Sequence, residues 1–390
     1  ELENEIRLMY ILLHVVIIVT IFFMYHFYSD LNGGAFLKSI RENTKRDFSR
    51  LKAAVYQKTP PELLPSKPKV LTLLIIVQII TLLIFPEWRD YRLAWVFFGA
   101  SIPIGGWLIM RWRIYSSVFI TPSRDLTNIN DPRWQQFNFL GWGDETLKAH
   151  FLKSEIESKD VMLYLHGYNS SLGRGESRCQ HMHSMGPNIF GLDQRGFGEQ
   201  KGKYEWTILK VIADIELLLE RMPSVLGYVP ENLWIYGHSM GGFLTIRLSA
   251  HSSGWWNKSL RGIILESPVT SFPLIIEKKL PGRAILANSW VRHILRREYQ
   301  RIHPDLNIGY ANAQIPFWGT PQVPILVLQA ANDETLGNEH FNLLEEHYKD
   351  IAEINILHSL LHTSKVDTEE RREVLEKWFS QQSSFTNKNN

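Results

Sequence analysis

Ser239 lies in the run G-H-S-M-G-G of residues 237–242, a setting that can expose a nucleophile. The apolar run before it, residues 233–236, predicts a buried strand, and the patterned run after it, residues 243–248, predicts a helix. A serine at so sharp a strand-to-helix turn has a strained backbone, and the flanking glycines let strand and helix approach closely. The pattern predicts a nucleophile elbow that displays the Ser239 hydroxyl for attack on a carbonyl carbon.

A serine nucleophile needs a carboxylate that orients its general base, and Asp333 is the candidate. Asp333 lies in the loop that follows a buried strand predicted at residues 323–328. Glu334 is the alternative acid, and we interpret it as a solvated loop carboxylate because charged side chains in loops are mostly exposed.

Two histidines are candidates for the general base. His362 follows a strand predicted at residues 352–357 and lies on the loop beyond it, where a base can reach both Ser239 and Asp333. His358 is the alternative, and its position at the end of the strand favours a packing role. The chain order serine, aspartate, histidine is the order found in one of the known triad folds.

An oxyanion hole is predicted from two main-chain N–H groups, those of Tyr168 and Met240. The strand predicted at residues 161–165 ends in H-G-Y-N-S, which places Tyr168 in the loop, and Met240 directly follows the serine. Two such donors aimed at the developing oxyanion lower the barrier to acyl transfer. The alternative interpretation is a strand-ending turn with a packed His166, which leaves the Tyr168 amide near the same place.

With these residues in view, residues 131–380 resemble the α/β-hydrolase superfamily, particularly its membrane-anchored serine hydrolases related to monoacylglycerol lipases and serine aminopeptidases. The run D-Q-R-G-F-G at residues 193–198 looks like that branch's D-x-R-G-x-G segment, and E-S-P-V-T-S at residues 266–271 looks like its E-S-P-x-x-S segment. The resemblance implies a mostly parallel central sheet with helices on both faces and a helical cap. It also implies structural roles for Asp193 and Arg195.

The sequence departs from the family at one position and indicates two boundaries. Ala330 occupies a position where the family usually has glycine, three residues before the acid. The strand and helix rhythm is interrupted at about residues 272–320, which we interpret as the cap. The polar tail at residues 381–390 is predicted to be disordered.

The N-terminal part of the chain differs in character, and residues 1–115 are predicted to form a membrane anchor. Apolar runs at about residues 9–27, 70–86 and 93–112 have the length and composition of transmembrane helices. Residues 29–69 between the first two runs carry nine Lys and Arg against four Asp and Glu. Because basic loops stay in the cytoplasm, this loop and the hydrolase domain are predicted on the cytoplasmic side, with the N-terminus outside.

Composition points to neither nucleic acid nor a metal or other cofactor. The net charge is +2 and 21% of residues are charged, which is ordinary for a globular protein. The single cysteine, Cys179, excludes an intramolecular disulfide. Cys179, His181 and His183 lie close in sequence, but no second cluster completes a four-ligand site.

The predicted function is therefore that of a membrane-anchored serine hydrolase that cleaves carboxylic esters or thioesters of lipid-like substrates. Lysophospholipase, monoacylglycerol lipase and acyl-thioesterase activities all fit this prediction. A serine peptidase or an acyltransferase would use the same triad, and the fold is compatible with all of these chemistries. An alternative of another class is a non-catalytic membrane protein that keeps the fold as a binding or assembly module.

Overall fold

The computed structural model describes residues 118, 119 and 128–386, apart from residues 199, 201–205, 253, 280–294, 296–312 and 364–366. The three spans predicted at about 9–27, 70–86 and 93–112 lie outside the described residues, as does the basic loop at 29–69. In the part of the chain that is described, none of the helices combines the length and the apolar character needed to cross a bilayer.

The described residues form an eight-stranded sheet whose strands run in the order β1-β2-β4-β3-β5-β6-β7-β8. The two pairings that involve β2 are antiparallel and all the others are parallel. The strands are β1 (Gln135–Leu140), β2 (Thr146–Leu152), β3 (Asp160–Leu165), β4 (Asn188–Leu192), β5 (Asn232–His238), β6 (Leu260–Glu266), β7 (Ile325–Ala330) and β8 (Ala352–Leu357). The mostly parallel sheet predicted from the sequence is therefore confirmed.

The α-helices of the described residues are α1 (Glu176–Ser184), α2 (Ile208–Leu226), α3 (Met240–Ala250), α4 (Trp256–Ser259), α5 (Phe272–Lys279), α6 (Asn338–Tyr348) and α7 (Glu369–Thr386). Helix α2 illustrates how local sequence sets helix ends. The Thr207 side chain accepts a hydrogen bond from the Lys210 N–H at the start, and Gly227 ends the helix with a φ of 81°.

Helix α7 extends into the tail that was predicted to be disordered. The prediction covered residues 381–390, but α7 continues to Thr386. Once a helix is established, each added residue contributes one more backbone hydrogen bond, so polar residues such as Gln381 can prolong it.

A buried apolar cluster on one side of the sheet is formed by alternate strand residues and by side chains of α1 and α7. Tyr164 and Tyr236 contribute from neighbouring strands, Met182 from α1 and Trp378 from α7. Because adjacent parallel strands share their direction, the carboxyl ends of β3, β5, β6, β7 and β8 meet at one edge of the sheet. Every candidate site residue follows one of these strand ends.

The segment predicted as a cap, residues 272–320, is described at its two ends and at Leu295. It opens with α5. Near its other end, the Trp318 ring stacks on Phe243 of α3 with ring centroids 4.5 Å apart. That end of the segment is therefore anchored on the helix that follows Ser239.

Candidate active site

The turn between β5 and α3 has the geometry that the sequence predicts. Ser239 has a φ of 53° and a ψ of −116°, a backbone conformation that non-glycine residues rarely adopt. Its N–H donates to the main-chain oxygen of Glu266 at 2.9 Å, which helps to fix the turn. A Cβ atom at Gly237 or at Gly241 would overlap backbone atoms of the neighbouring segments, so both positions require glycine.

The structure brings the side chains of Ser239, Asp333 and His362 together in one hydrogen-bonded chain. The distance from His362 Nε2 to Ser239 Oγ is 3.0 Å, and the distance from His362 Nδ1 to Asp333 Oδ2 is 2.8 Å. An ionised carboxylate can only accept, so Nδ1 carries the proton and Nε2 presents its lone pair to the serine hydroxyl. This tautomer allows His362 to remove the Ser239 proton.

Asp333 is held in the orientation that this arrangement needs. Its Oδ1 accepts the main-chain N–H groups of Thr335 at 3.1 Å and Leu336 at 2.9 Å, which leaves Oδ2 for His362. Burial opposes ionisation of the carboxyl, but the hydrogen bond from His362 and those two amides outweigh it and lower the pKa of Asp333. The departure at Ala330 is accommodated, since this residue is buried and its N–H donates to Ser267 Oγ at 3.3 Å.

The two alternatives, Glu334 and His358, take no part in this chain of hydrogen bonds. Glu334 is exposed, as expected of a solvated loop carboxylate. His358 is also exposed, so the interpretation of His358 as a packing residue is wrong. It follows β8, which is at the edge of the sheet in the described residues. Its main-chain N–H donates to the carboxylate of Glu370 on α7 at 3.2 Å.

The loop after β3 passes directly against Ser239. A Cβ atom on Gly167 would lie 3.1 Å from Ser239 Cβ, so the main chain that leads into Tyr168 is close to the Ser239 side chain. Met240 is the first residue of α3, where main-chain N–H groups have no partner within the helix. The two predicted oxyanion donors therefore belong to segments that flank Ser239, and their role remains a prediction.

His166 at the end of β3 is a packed histidine that fixes this loop. Its Nδ1 donates to the Gly167 oxygen at 2.7 Å, and its Nε2 accepts the Gln194 N–H at 2.9 Å. Burial lowers the pKa of His166, which agrees with a neutral ring that has one donor and one acceptor. The Tyr168 ring packs edge-on against Phe197 and Trp206, with ring centroids 5.1 and 5.3 Å away.

Asp193 and Arg195 have the structural roles that the resemblance implies. Arg195 forms a buried two-pronged ion pair with Asp214 on α2, with nitrogen to oxygen distances of 2.7 and 2.6 Å. Asp193 Oδ1 accepts the main-chain N–H of Leu172 at 2.6 Å. These contacts attach the loop after β4 to its neighbours and leave neither residue at the nucleophile.

Sequence reasoning gave no role to Glu266, which is the centre of a buried charged cluster below the site. Its carboxylate accepts hydrogen bonds from Arg178 on α1, from Tyr236 on β5 and from Arg371 on α7. Burial opposes its ionisation, but Arg178 and Arg371 outweigh it and hold the pKa of Glu266 far below its usual range. The only signal in the sequence was the E-S-P-V-T-S run, which carries no information on the two arginines.

The described residues contain no group of three or more His, Cys, Asp or Glu side chains arranged to hold a metal ion. In the sequence cluster of Cys179, His181 and His183, Cys179 is a buried free thiol. His183 Nε2 is used in a hydrogen bond to the Lys153 oxygen at 2.7 Å.

Part of this chain resembles known proteins. The family model described as serine aminopeptidase, S33 matches residues 156–318, a range that includes Tyr168 and Ser239. Human alpha/beta hydrolase domain-containing protein 17B is 32% identical over 122 residues, which are 31% of this chain and 40% of the relative. Over these residues the chain is similar to α/β-hydrolases.

Two further similarities cover different shares of the chain. Alpha/beta hydrolase domain-containing protein 17C of Xenopus laevis is 29% identical over 154 residues, which are 38% of this chain and 44% of the relative. The chain thus spans less than half of the length of both of these relatives. The Pyrococcus furiosus esterase Pf2001 superposes with a TM-score of 0.49 at 16% identity, over 68% of this chain and 97% of that one.

Proposed function

We propose that this protein is a serine hydrolase in which Ser239 is the nucleophile, His362 the general base and Asp333 the residue that orients the base. The observation that carries the proposal is the pair of hydrogen bonds at 3.0 and 2.8 Å that joins the three side chains in the productive tautomer. A binding module would not need three chemically matched groups from three separate strand ends. The non-catalytic alternative is therefore disfavoured.

The reaction begins as His362 Nε2 takes the Ser239 hydroxyl proton while Oγ bonds to the acyl carbon of the substrate. The carbonyl oxygen becomes an oxyanion that accepts hydrogen bonds from the Tyr168 and Met240 N–H groups. Asp333 stabilises the imidazolium, which then gives its proton to the departing oxygen or sulfur. Water, activated by the same base, cleaves the acyl-enzyme and releases the carboxylic acid. No cofactor takes part.

The proposed substrates are carboxylic esters or thioesters of fatty acids, as in lysophospholipases, monoacylglycerol lipases or acyl-thioesterases. The predicted anchor supports this choice, since it would hold the site beside amphiphilic substrates, with the hydrolase domain on the cytoplasmic side. A second feature is Leu361, directly before the base, whose side chain is 61% exposed. An apolar residue next to His362 suits an acyl chain better than a charged substrate.

The test is hydrolysis by the full chain in detergent. We expect turnover of a p-nitrophenyl octanoate ester and of an octanoyl thioester, with loss of nearly all activity in Ser239→Ala. Ser224→Ala is the matched control, because Ser224 is on α2 and its hydroxyl donates only to the Arg221 oxygen among the described contacts. Activity that survives in Ser239→Ala would contradict the proposal.

A peptidase is the second candidate, and the description of the matching family model as serine aminopeptidase favours it. The same preparation is therefore offered alanine p-nitroanilide, an amide with a free amino terminus. Faster turnover of the amide than of the ester would overturn the choice of lipid-like esters while keeping the triad. Ester turnover without amide turnover would support it.

A further inference from the structure

His238, the residue before the nucleophile, lies where three segments of the site meet. Its Nε2 is 2.8 Å from the main-chain oxygen of His362, and the two imidazole rings have centroids 5.2 Å apart. On its other side, a Cβ atom on Gly167 would lie 3.3 Å from His238 Nδ1. His238 thus contacts the loop that carries the base and the loop that leads to Tyr168, and it is covalently joined to Ser239.

The hydrogen bond to the His362 oxygen has a defined direction. A carbonyl oxygen can only accept, so His238 Nε2 carries the proton and donates it. The ring of His362 is held by Asp333 and Ser239, while this bond holds its main chain. Together, the two contacts on the His362 ring and the one on its main-chain oxygen determine where His362 Nε2 lies relative to the Ser239 hydroxyl.

His238 is itself held by buried surroundings. It ends β5, where it pairs with Glu266 of β6 in the sheet register. The distance from His238 Nε2 to Glu266 Oε1 is 4.0 Å, and the carboxylate is bound by Arg178 and Arg371. Burial, reinforced by the Arg178 cation, lowers the pKa of His238 to about 3, so the ring is neutral and has one N–H to donate.

We propose that His238 is a positioning residue that fixes the main chain of His362 and thereby sets the distance between the general base and Ser239. The inference rests on the proposed function, since it assigns a partner to the proposed base. His238 would act through His362, so its loss should slow acylation without weakening substrate binding.

The test compares His238→Gln with His238→Asn. Both variants carry a carboxamide, but only the longer Gln side chain brings an N–H near the place of His238 Nε2. We expect kcat for the octanoate ester and the labelling rate by a fluorophosphonate to fall roughly 10- to 100-fold in His238→Asn, the scale of effect of a small misplacement of reacting groups. Both rates should stay within about threefold of the native values in His238→Gln, and KM should change little in either variant.

The outcomes separate positioning from folding. Unfolded protein reduces the fraction that labels, whereas lost positioning reduces the rate constant of the fraction that labels. Equal rate constants in the Gln and Asn variants would overturn the inference. If native protein labels normally and His238→Asn labels just as fast, the proposed function stands and only the positioning role fails. If native protein does not label, the proposed function fails.

A measurement on the native chain covers the case in which a variant does not fold. Nitrogen-15 NMR of the histidine side chains should show His238 as a neutral ring protonated on Nε2 and unchanged between pH 6 and pH 8. A ring protonated on Nδ1 could not donate to the His362 oxygen and would also overturn the inference.

Discussion

Replacing Asp333 by asparagine should invert the proton arrangement of the site without disturbing its shape. Asp333 Oδ1 accepts two main-chain N–H groups, those of Thr335 and Leu336, so the amide oxygen of an asparagine must stay in that place. The amide nitrogen then faces His362 Nδ1 as a donor. Nδ1 becomes an acceptor, the proton moves to Nε2, and Nε2 can no longer take the proton of Ser239.

The size of the effect follows from this geometry. Rotating the amide the other way would lose the two N–H bonds, each worth about 1 kcal/mol, and would set donor against donor. The wrong tautomer therefore dominates. We expect kcat for the octanoate ester to fall about 10⁴-fold, which corresponds to about 5 kcal/mol of transition-state stabilisation. The free energy of unfolding and KM should change little, because the hydrogen-bonding pattern around position 333 is kept.

The assay is single-turnover acylation by the octanoate ester, which is monitored through the release of p-nitrophenol. Glu334→Gln is the matched control, since it makes the same chemical change at the exposed neighbouring carboxylate. Its rate should equal that of the native chain. Acylation by Asp333→Asn within tenfold of the native rate, or a comparable defect in Glu334→Gln, would refute the reasoning.

Three predictions concern stability. Gly241→Ala places a Cβ atom on the carbonyl group of Leu165, so strand β3 must move, and urea unfolding should show a loss of about 3 kcal/mol together with slower fluorophosphonate labelling. Arg195→Met leaves the Asp214 carboxylate buried without that cation and should cost about 3–5 kcal/mol by the same method. Burial lowers the pKa of His340 from 6.5 to about 4. Folding therefore favours the neutral ring. The stabilisation that the neutral ring gives is fully present above pH 6.5 and is lost as the pH falls toward 4. About 2 kcal/mol of stability from this ring should disappear between pH 7 and pH 5, and His340→Gln should remove that part of the pH dependence.

Each of these predictions has a result that would contradict it. For Gly241→Ala, the control is Ser224→Ala, an exposed substitution on α2. Equal free energies of unfolding in these two variants would contradict the first prediction. For the buried ion pair, the control is Arg133→Met, because Arg133 is half exposed and its pair with Asp131 should be worth less than about 1 kcal/mol. Equal losses in the two arginine variants would contradict the argument from burial. An unchanged pH dependence in His340→Gln would contradict the third prediction.

The elements that carry the site were predictable because buried parallel strands are continuous apolar runs in the sequence. The strands before Ser239 and Asp333 were found this way, and the loop after each strand end supplied the candidate residue. Its reach from the loop favours His362 over His358 as the base, and the structure places His362 at the serine. The sequence does not predict the exposure of His358, since no local pattern shows that β8 is an edge strand of the described sheet.

Contacts between segments that are far apart along the chain could not be predicted from the sequence, because they depend on how the strands and helices pack. Glu266 meets Arg178 and Arg371, which are 88 and 105 residues away along the chain. Their pairing follows from the strand order and from where α1 and α7 pack. The donor bond from His238 to the His362 oxygen spans 124 residues. A histidine between Gly237 and Ser239 is only a variable position of the elbow motif, and its partner emerges with the fold.

The central claim is that Ser239 is an activated nucleophile. The measurement that tests it most directly is reaction of the full chain in detergent with a fluorophosphonate, followed by digestion and mass spectrometry to locate the phosphonylated residue. We expect one adduct, on Ser239, which is absent in Ser239→Ala and strongly reduced in His362→Ala. Folded native protein that forms no adduct, or an adduct on another serine that persists in Ser239→Ala, would contradict it.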